Sequence, residues 1–222
     1  MPSDPAVESY ANFERLDADY QQRILDACIE EFSRNGYESA STNAIVKRAG
    51  IPKGSLFYFF GSKKNLYLYI IDHAVKRFAG EFEEISAASY DDEPKDLFER
   101  LERRGEIRMK FVVNEPLLYQ LFFNAFIDAP EDIRSELQLR YASFYQTSAR
   151  RLQNGLDRSY FKDDIDVEKA IQLVNLVLEG IFNRYLPALK TMTPADSLRL
   201  VEEIGVEVQT YFEMLKKGIY KP

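Results

Sequence analysis

The chain has no tryptophan, a single cysteine and a single histidine among its 222 residues. One cysteine, Cys28, excludes an intrachain disulfide and any cysteine cage for a metal. It lies on an apolar helical stripe, which reads as a small core residue rather than a reactive thiol. The lone histidine, His73, lies on a helix beside Ile70 and Ala74 and reads as a packing or surface residue, and no phosphate-binding glycine loop is present. Neither an enzyme nor a metal or cofactor site is expected. Long hydrophobic runs are also missing. The most apolar stretch, IQLVNLVLEGIF at 171–182, is too short to cross a bilayer and carries Gln172, Asn175 and Glu179. The first twenty residues hold five acids, one arginine and no apolar run, so no signal peptide is expected. No strand-period alternation and no repeat stands out. A soluble, cytoplasmic protein without a membrane partner is the expectation.

What is present is enough to build a core: 45% of the residues are hydrophobic and 29% charged. The net charge of −7 argues at first against a polyanionic partner, but its distribution is uneven. Between Ser33 and Lys64 six bases (Arg34, Lys47, Arg48, Lys53, Lys63, Lys64) face one acid, Glu38, a local excess of +5. Residues 81–222 carry nineteen bases and twenty-six acids. A short basic module is joined to an acidic body.

The periodicity is helical almost throughout, giving an all-α fold. Leu25, Cys28, Ile29 and Phe32 recur at i, i+3, i+4 and i+7 in a first strong helix, begun near Asp17 and Asp19 and stopped at Gly36. Ser41 caps a short second helix that Gly50 ends. Ile51-Pro52 makes a turn, a third very short helix runs from about Lys53 to Phe60, and Ser62 caps a long fourth. Further helices are expected near 95–113, 116–127, 131–154, 167–187 and 194–217, with a longer loop at 155–166. The organisation expected is an N-terminal extension (1–18), a helix-turn-helix domain (19–65) and a larger helical body (66–222).

Three helices in about 45 residues with a tight turn before the third form a helix-turn-helix arrangement. The third contains LFYFF, too much aromatic surface for one core face. At about 100° per residue, Leu56 and Phe60 share a face, Phe57 and Phe59 flank it, and Tyr58 points away near Gly54 and Ser55. A hydroxyl there can bond a phosphate or base edge, an aromatic edge can meet a thymine methyl, and Gly54 permits close backbone approach. Lys53 and Lys63 flank the helix as phosphate contacts.

The stretch from Arg23 to Leu66 resembles the N-terminal domain of TetR-type transcriptional regulators. The likeness rests on IL…A…F…GY in the first helix, Ser41-Thr42 opening the second, Ile45 and Ala49-Gly50, then KGSL-F-Y-F-F and Ser62-Lys63. It implies that Lys53, Ser55 and Phe57 approach bases or nearby backbone, and that Ser41, Thr42, Tyr58, Phe59 and Lys63 meet phosphates. The chain departs from the pattern in four places. A tyrosine is usual where Phe57 stands and a histidine is frequent where Phe59 stands, so two sets of hydrogen-bonding atoms are lost. An acid is usual where Ala44 and Lys64 stand, which deprives the second helix of its capping-box partner.

The resemblance further implies that the body binds a small molecule and that the last two helices pair with a second subunit in a four-helix bundle. The 167–187 helix has a broad apolar sector with Leu173 and Leu176 outside it, which fits burial on two sides. On the 95–113 helix, Arg108 interrupts an apolar stripe beside Gly105 and needs a partner if buried: an anionic ligand group, Glu179, or solvent at the stripe's edge. Tyr119, Phe122, Phe123, Phe126, Phe144, Tyr145 and Phe182 are candidate ligand-lining residues, though aromatics at helical spacing also make ordinary cores. The expected function is a dimeric, ligand-responsive repressor of a near-palindromic double-stranded DNA operator. The rival is a helical small-molecule or lipid carrier whose N-terminal bundle is only a scaffold.

Overall fold

A computed structural model describes residues 5–87, 94–127, 129–189 and 194–222. Ten α-helices run through them: α1 (Pro5–Glu14), α2 (Ala18–Ser39), α3 (Thr42–Ala49), α4 (Ser55–Phe60), α5 (Lys63–Ala87), α6 (Leu97–Asn114), α7 (Pro116–Ile127), α8 (Arg134–Gln153), α9 (Val167–Leu189) and α10 (Pro194–Ile219). Among the described residues, the extended pairing is a single antiparallel bridge, Phe161 to Tyr220. The chain groups into two compact units, residues 1–80 with 115–145, and residues 81–114 with 146–222. This grouping by compactness differs from a division at residue 65, because α7 and the first half of α8 fall in the same unit as the N-terminal helices.

In the first unit the helix ends follow local chemistry. The Asp17 side chain accepts from the Asp19 backbone N–H (3.0 Å) to start α2. At Gly36 the backbone turns to φ 66°, ψ −178°, a region open essentially only to glycine, and the helix kinks there before one last turn. Gly50 ends α3 in the left-handed conformation, with its N–H and that of Ile51 both returning to the Val46 carbonyl. The Ser62 hydroxyl accepts from Asn65 N–H (3.1 Å) and caps α5.

The N-terminal segment is not a mere extension. Residues 5–14 form α1, which packs against α4. Two further helices of this unit hold α5 by charged pairs. Arg140 on α8 grips Asp72 with two bonds (2.7 and 3.1 Å), and Arg77 meets Glu115 at the start of α7 (2.6 Å). Lys64, at the head of α5, pairs with Glu136. Cys28 is fully buried in α2, and burial pushes its thiol far above the usual range. His73 is half-buried, and desolvation with Arg77 and Lys76 nearby lowers its pKa.

The second unit packs α6, α9 and α10 around Leu97, Phe98, Ile171, Val174, Phe212 and Tyr220. The buried Asp96 caps α6 by accepting from the N–H groups of Phe98 (2.8 Å) and Glu99 (2.9 Å). The buried charge of α6 is Arg100. Its guanidinium donates to the carbonyls of Pro94 (2.8 Å), Leu152 (2.8 Å) and Asn154 (2.6 Å), and one turn later Arg104 donates to Ser148 O (3.0 Å). The open carbonyls at the end of α8 are the natural partner for a cation. The expected 155–166 loop contains one 3-10 turn, Arg158–Tyr160, and the strand-like bridge that ties it to the end of α10.

Candidate nucleic-acid interface

The reading surface is built on α4, six residues long and therefore unable to hold itself together. Leu56, Phe59 and Phe60 are buried and anchor it. Tyr58 (66% exposed) and Phe57 (49%) face outward, as helix geometry requires. Gly54 has nothing within 4 Å of the place where a side chain would begin, so a ligand backbone can come close. Ser55 is partly exposed beside it, and Lys53 is exposed.

Phe59 departs from its expected place. Its ring is buried against Phe13 of α1 (centroids 5.9 Å, edge-on) and against Tyr58 (5.3 Å). The Phe59 side chain is therefore a packing element, not a phosphate contact. A histidine at this position would bury a polar ring against Phe13, and phenylalanine avoids that cost. Sequence reasoning missed this because the covering ring belongs to a helix outside the motif.

At the start of α3, Ser41 is exposed and its hydroxyl accepts from Ala44 N–H (3.3 Å), with Thr42 half-buried next to it. The capping-box carboxylate missing at Ala44 is replaced from another helix. Buried Glu31 of α2 accepts from Ser41 N–H (2.9 Å) and takes Arg48 on its other oxygen (3.4 Å). The same reciprocal satisfaction is reached through tertiary contact rather than sequence spacing.

The charge of the module is smaller than its sequence count. Arg34 and Arg48 pair with Glu30, Arg48 also with Glu31, and Lys64 with Glu136, all acids outside the counted window. Lys63 donates to the Glu38 carbonyl (2.9 Å) and lies over the Tyr37 ring (5.2 Å), which holds it at the edge of α4 with its charge uncompensated by a carboxylate. Lys47 and Lys53 have no hydrogen-bond or ion-pair partner among the described residues. The cations of this module left for an anionic partner are thus Lys47 on α3, Lys53 just before α4 and Lys63 just after it.

The candidate ligand residues divide between the units. In the first, Phe122 and Phe126 of α7 and Phe144 of α8 come together around Phe78 of α5. Phe122 is 5.2 Å from Phe78, 4.7 Å from Phe126 and 5.6 Å from Phe144, and Phe126 is 5.3 Å from Tyr141. Phe78 and Tyr141 escaped the sequence reading, since nothing in their local pattern marks them. Tyr119 is half-buried on α7. Arg108 (half-buried) and Glu179 (exposed) belong to the second unit. The side chains of Phe123, Tyr145 and Phe182 lie outside the described set. The charge that α6 buries is Arg100 rather than Arg108, because Arg100 reaches backbone carbonyls and Arg108 sits farther along the helix. Among the described residues no group of three or more His, Cys, Asp or Glu side chains is placed to hold a metal, and no helix is long and apolar enough to cross a membrane.

A glycine-terminated α3, a tight turn and a short α4 with an outward tyrosine and flanking lysines define a helix-turn-helix protein of the kind that reads DNA. Residues 24–70 match the family model described as "Bacterial regulatory proteins, tetR family", which identifies this segment as a TetR-type DNA-binding domain. Over 183 residues (82% of this chain, 90% of the relative) the chain is 24% identical to the HTH-type transcriptional repressor AcnR of Corynebacterium glutamicum. Over 72 residues (31% of this chain, 37% of the relative) it is 42% identical to the HTH-type transcriptional regulator UidR of Escherichia coli K12. In fold it resembles a putative transcriptional regulator from Saccharomonospora viridis solved in complex with choline. That match has a TM-score of 0.62 at 20% identity and covers 93% of this chain and 100% of the other.

Proposed function

We propose that this protein is a TetR-type repressor that binds a near-palindromic operator as a homodimer and is released by a small molecule. The observation that carries the DNA-binding part is the two-sided α4: Leu56, Phe59 and Phe60 buried, with Tyr58 and Phe57 exposed among the unpaired cations Lys47 and Lys53 and the carbonyl-held Lys63. In this reading Lys53, Gly54, Ser55 and Phe57 approach base edges and nearby backbone, while Ser41, Thr42, Tyr58 and Lys63 meet phosphates. The relatives named as repressors favour repression over activation.

The dimer reading is supported by apolar side chains left exposed on α9 and α10. Leu173 and Leu176 face outward from α9, and Val206 and Met214 from α10. The two helices are fixed to each other from within by Ile181, Leu200 and Ile204 and by Arg184 and Tyr185 on Glu207, the latter at 2.6 Å. An apolar surface on a braced helix pair fits a partner copy. For the effector, the aromatic group of Phe78, Phe122, Phe126 and Phe144 is the strongest candidate wall, because α5 carries one of its rings and also begins beside α4. A molecule that parts these rings would displace α5 and change how the two reading heads are spaced.

The deciding experiment is selection from a random duplex pool followed by affinity measurement against salt. Enrichment of a near-palindromic site, with an affinity that falls steeply as salt rises, is the expected result. Absence of salt-sensitive duplex binding by the purified dimer would favour the carrier reading instead.

A further inference from the structure

The helix α1 lies wholly outside the segment that matches the family model, yet its strongest packing is on the reading helix. Phe13 is fully buried. Its ring meets Phe59 (5.9 Å), Phe60 (4.9 Å) and Tyr69 (5.5 Å), so one side chain touches both inward aromatics of α4 and the second turn of α5. Tyr10 lies 6.0 Å from Phe60 and 5.0 Å from Tyr69, and its hydroxyl donates to the Asn65 carbonyl (3.2 Å). Tyr69 donates to the Glu14 carboxylate (3.4 Å), which raises the phenol's pKa to about 12 through burial and the nearby carboxylate. The Gln21 amide then closes the turn between α1 and α2 by donating to the carbonyls of Glu14 (3.1 Å) and Leu16 (2.8 Å).

A helix of six residues has little stability of its own, and its orientation is set by what its side chains pack against. Leu56 and Phe60 define one face, but Phe59 lies about 100° around from Phe60 and needs a second wall. Phe13 is that wall. Tyr58 leans on Phe59 at 5.3 Å, so the order of contact runs from Phe13 to Phe59 to the exposed phenol.

From this arrangement we infer that α1 is a fourth helix of the reading head and that Phe13 is a positioning residue for operator recognition. It acts through α4 without touching DNA. The inference rests on the proposal that α4 enters a DNA groove. A shift of α4 by a fraction of an ångström misaligns directional base contacts, whereas phosphate contacts by flexible lysines tolerate it. Loss of Phe13 should therefore reduce specificity more than general DNA affinity.

The test compares wild type, Phe13→Ala and Phe13→Leu in the full chain. Each is measured against a duplex selected by the wild-type protein and against a scrambled duplex, over a range of salt. Far-UV circular dichroism reports helicity. The expected result for Phe13→Ala is a loss of about tenfold or more on the selected duplex. Affinity for the scrambled duplex and the salt slope should stay near wild type, and Phe13→Leu should recover part of the loss. An equal loss on both duplexes would reduce Phe13 to a structural role and overturn the inference, as would an unchanged ratio in Phe13→Ala. If Phe13→Ala loses helicity, Phe13→Leu and Tyr10→Phe decide by the same ratio, and wild-type ratios in both overturn it. Failure of the wild-type protein to bind any duplex would instead overturn the proposal that α4 reads DNA.

Discussion

Single side chains decide how the reading surface is presented. Tyr58 is exposed and Tyr58→Phe keeps the ring that rests on Phe59, so this change should weaken operator binding by about threefold to tenfold while leaving the thermal unfolding midpoint near wild type. Lys63→Ala should weaken binding to all duplexes and flatten the salt dependence by about 0.9 in the log–log slope, the signature of one lost phosphate contact. Both are read by fluorescence anisotropy on the selected duplex. Glu31 is the opposite kind of residue. It is buried, accepts the Ser41 N–H and holds Arg48, so Glu31→Ala leaves the Ser41 N–H without its acceptor and Arg48 with Glu30 alone. A loss of about 2 kcal/mol in urea unfolding is expected. DNA affinity should follow only to the extent that the start of α3 frays.

Whole helices are also tied together by charge. Arg100 clasps the Leu152 and Asn154 carbonyls at the end of α8 and the Pro94 carbonyl before α6, and a neutral side chain cannot satisfy all three at once. Arg100→Ala should destabilise the protein by about 3 kcal/mol or more, measured by chemical unfolding, with no change in the salt slope of DNA binding. At the other end of α8, Lys64 and the Ser135 hydroxyl hold the Glu136 carboxyl down at about 2, below its ordinary 4.5. A carboxylate whose folded pKa is depressed stabilises the fold above its unfolded pKa and loses that contribution as it is protonated. The tie between α5 and α8 is therefore intact above about pH 4.5 and fades as the pH falls toward 2. Unfolding midpoints of wild type and Lys64→Met should differ at pH 6 and converge toward pH 2. Because the pair is exposed, the difference should also shrink in high salt.

At the scale of the molecule, the proposed function needs a second copy of the chain. Leu176 on α9 and Val206 on α10 are 64% and 71% exposed, among the most open apolar side chains described. A glutamate at Leu176 would put a charge into the proposed bundle. Leu176→Glu should shift the protein to a monomer by light scattering and lose nearly all operator affinity, since one head alone reads half a site. Its unfolding midpoint at fixed concentration should fall as the subunit contact is lost. Effector binding can be followed with Phe144→Trp, which would introduce the only tryptophan of the chain beside Phe78 and Phe122. A change in its emission on adding a bound molecule, absent when the label is placed at exposed Tyr160, would locate the site.

Most of the helical plan was legible in the sequence. The boundaries of α7 and the starts of α9 and α10 agree with periodicity and proline placement. Gly36, Gly50 and Ser62 punctuate the chain where their local chemistry says they must. The outward tyrosine of α4 followed from helix geometry alone. These features depend on residues within a few positions of each other, where steric and hydrogen-bonding rules act directly on the backbone.

Only the tertiary structure decided the rest. Phe59 looked like a contact residue until α1 covered it, and Ala44 looked like a lost cap until Glu31 supplied the carboxylate from another helix. A local excess of +5 shrank when Glu30, Glu31 and Glu136 took their partners, and the buried arginine of α6 proved to be Arg100 because α8 ends beside it. Each of these depends on a partner distant in sequence or outside the motif being read. A charge or ring takes its meaning from what surrounds it, and the run of aromatics in α4 needed the ring of Phe13 to explain its inner half.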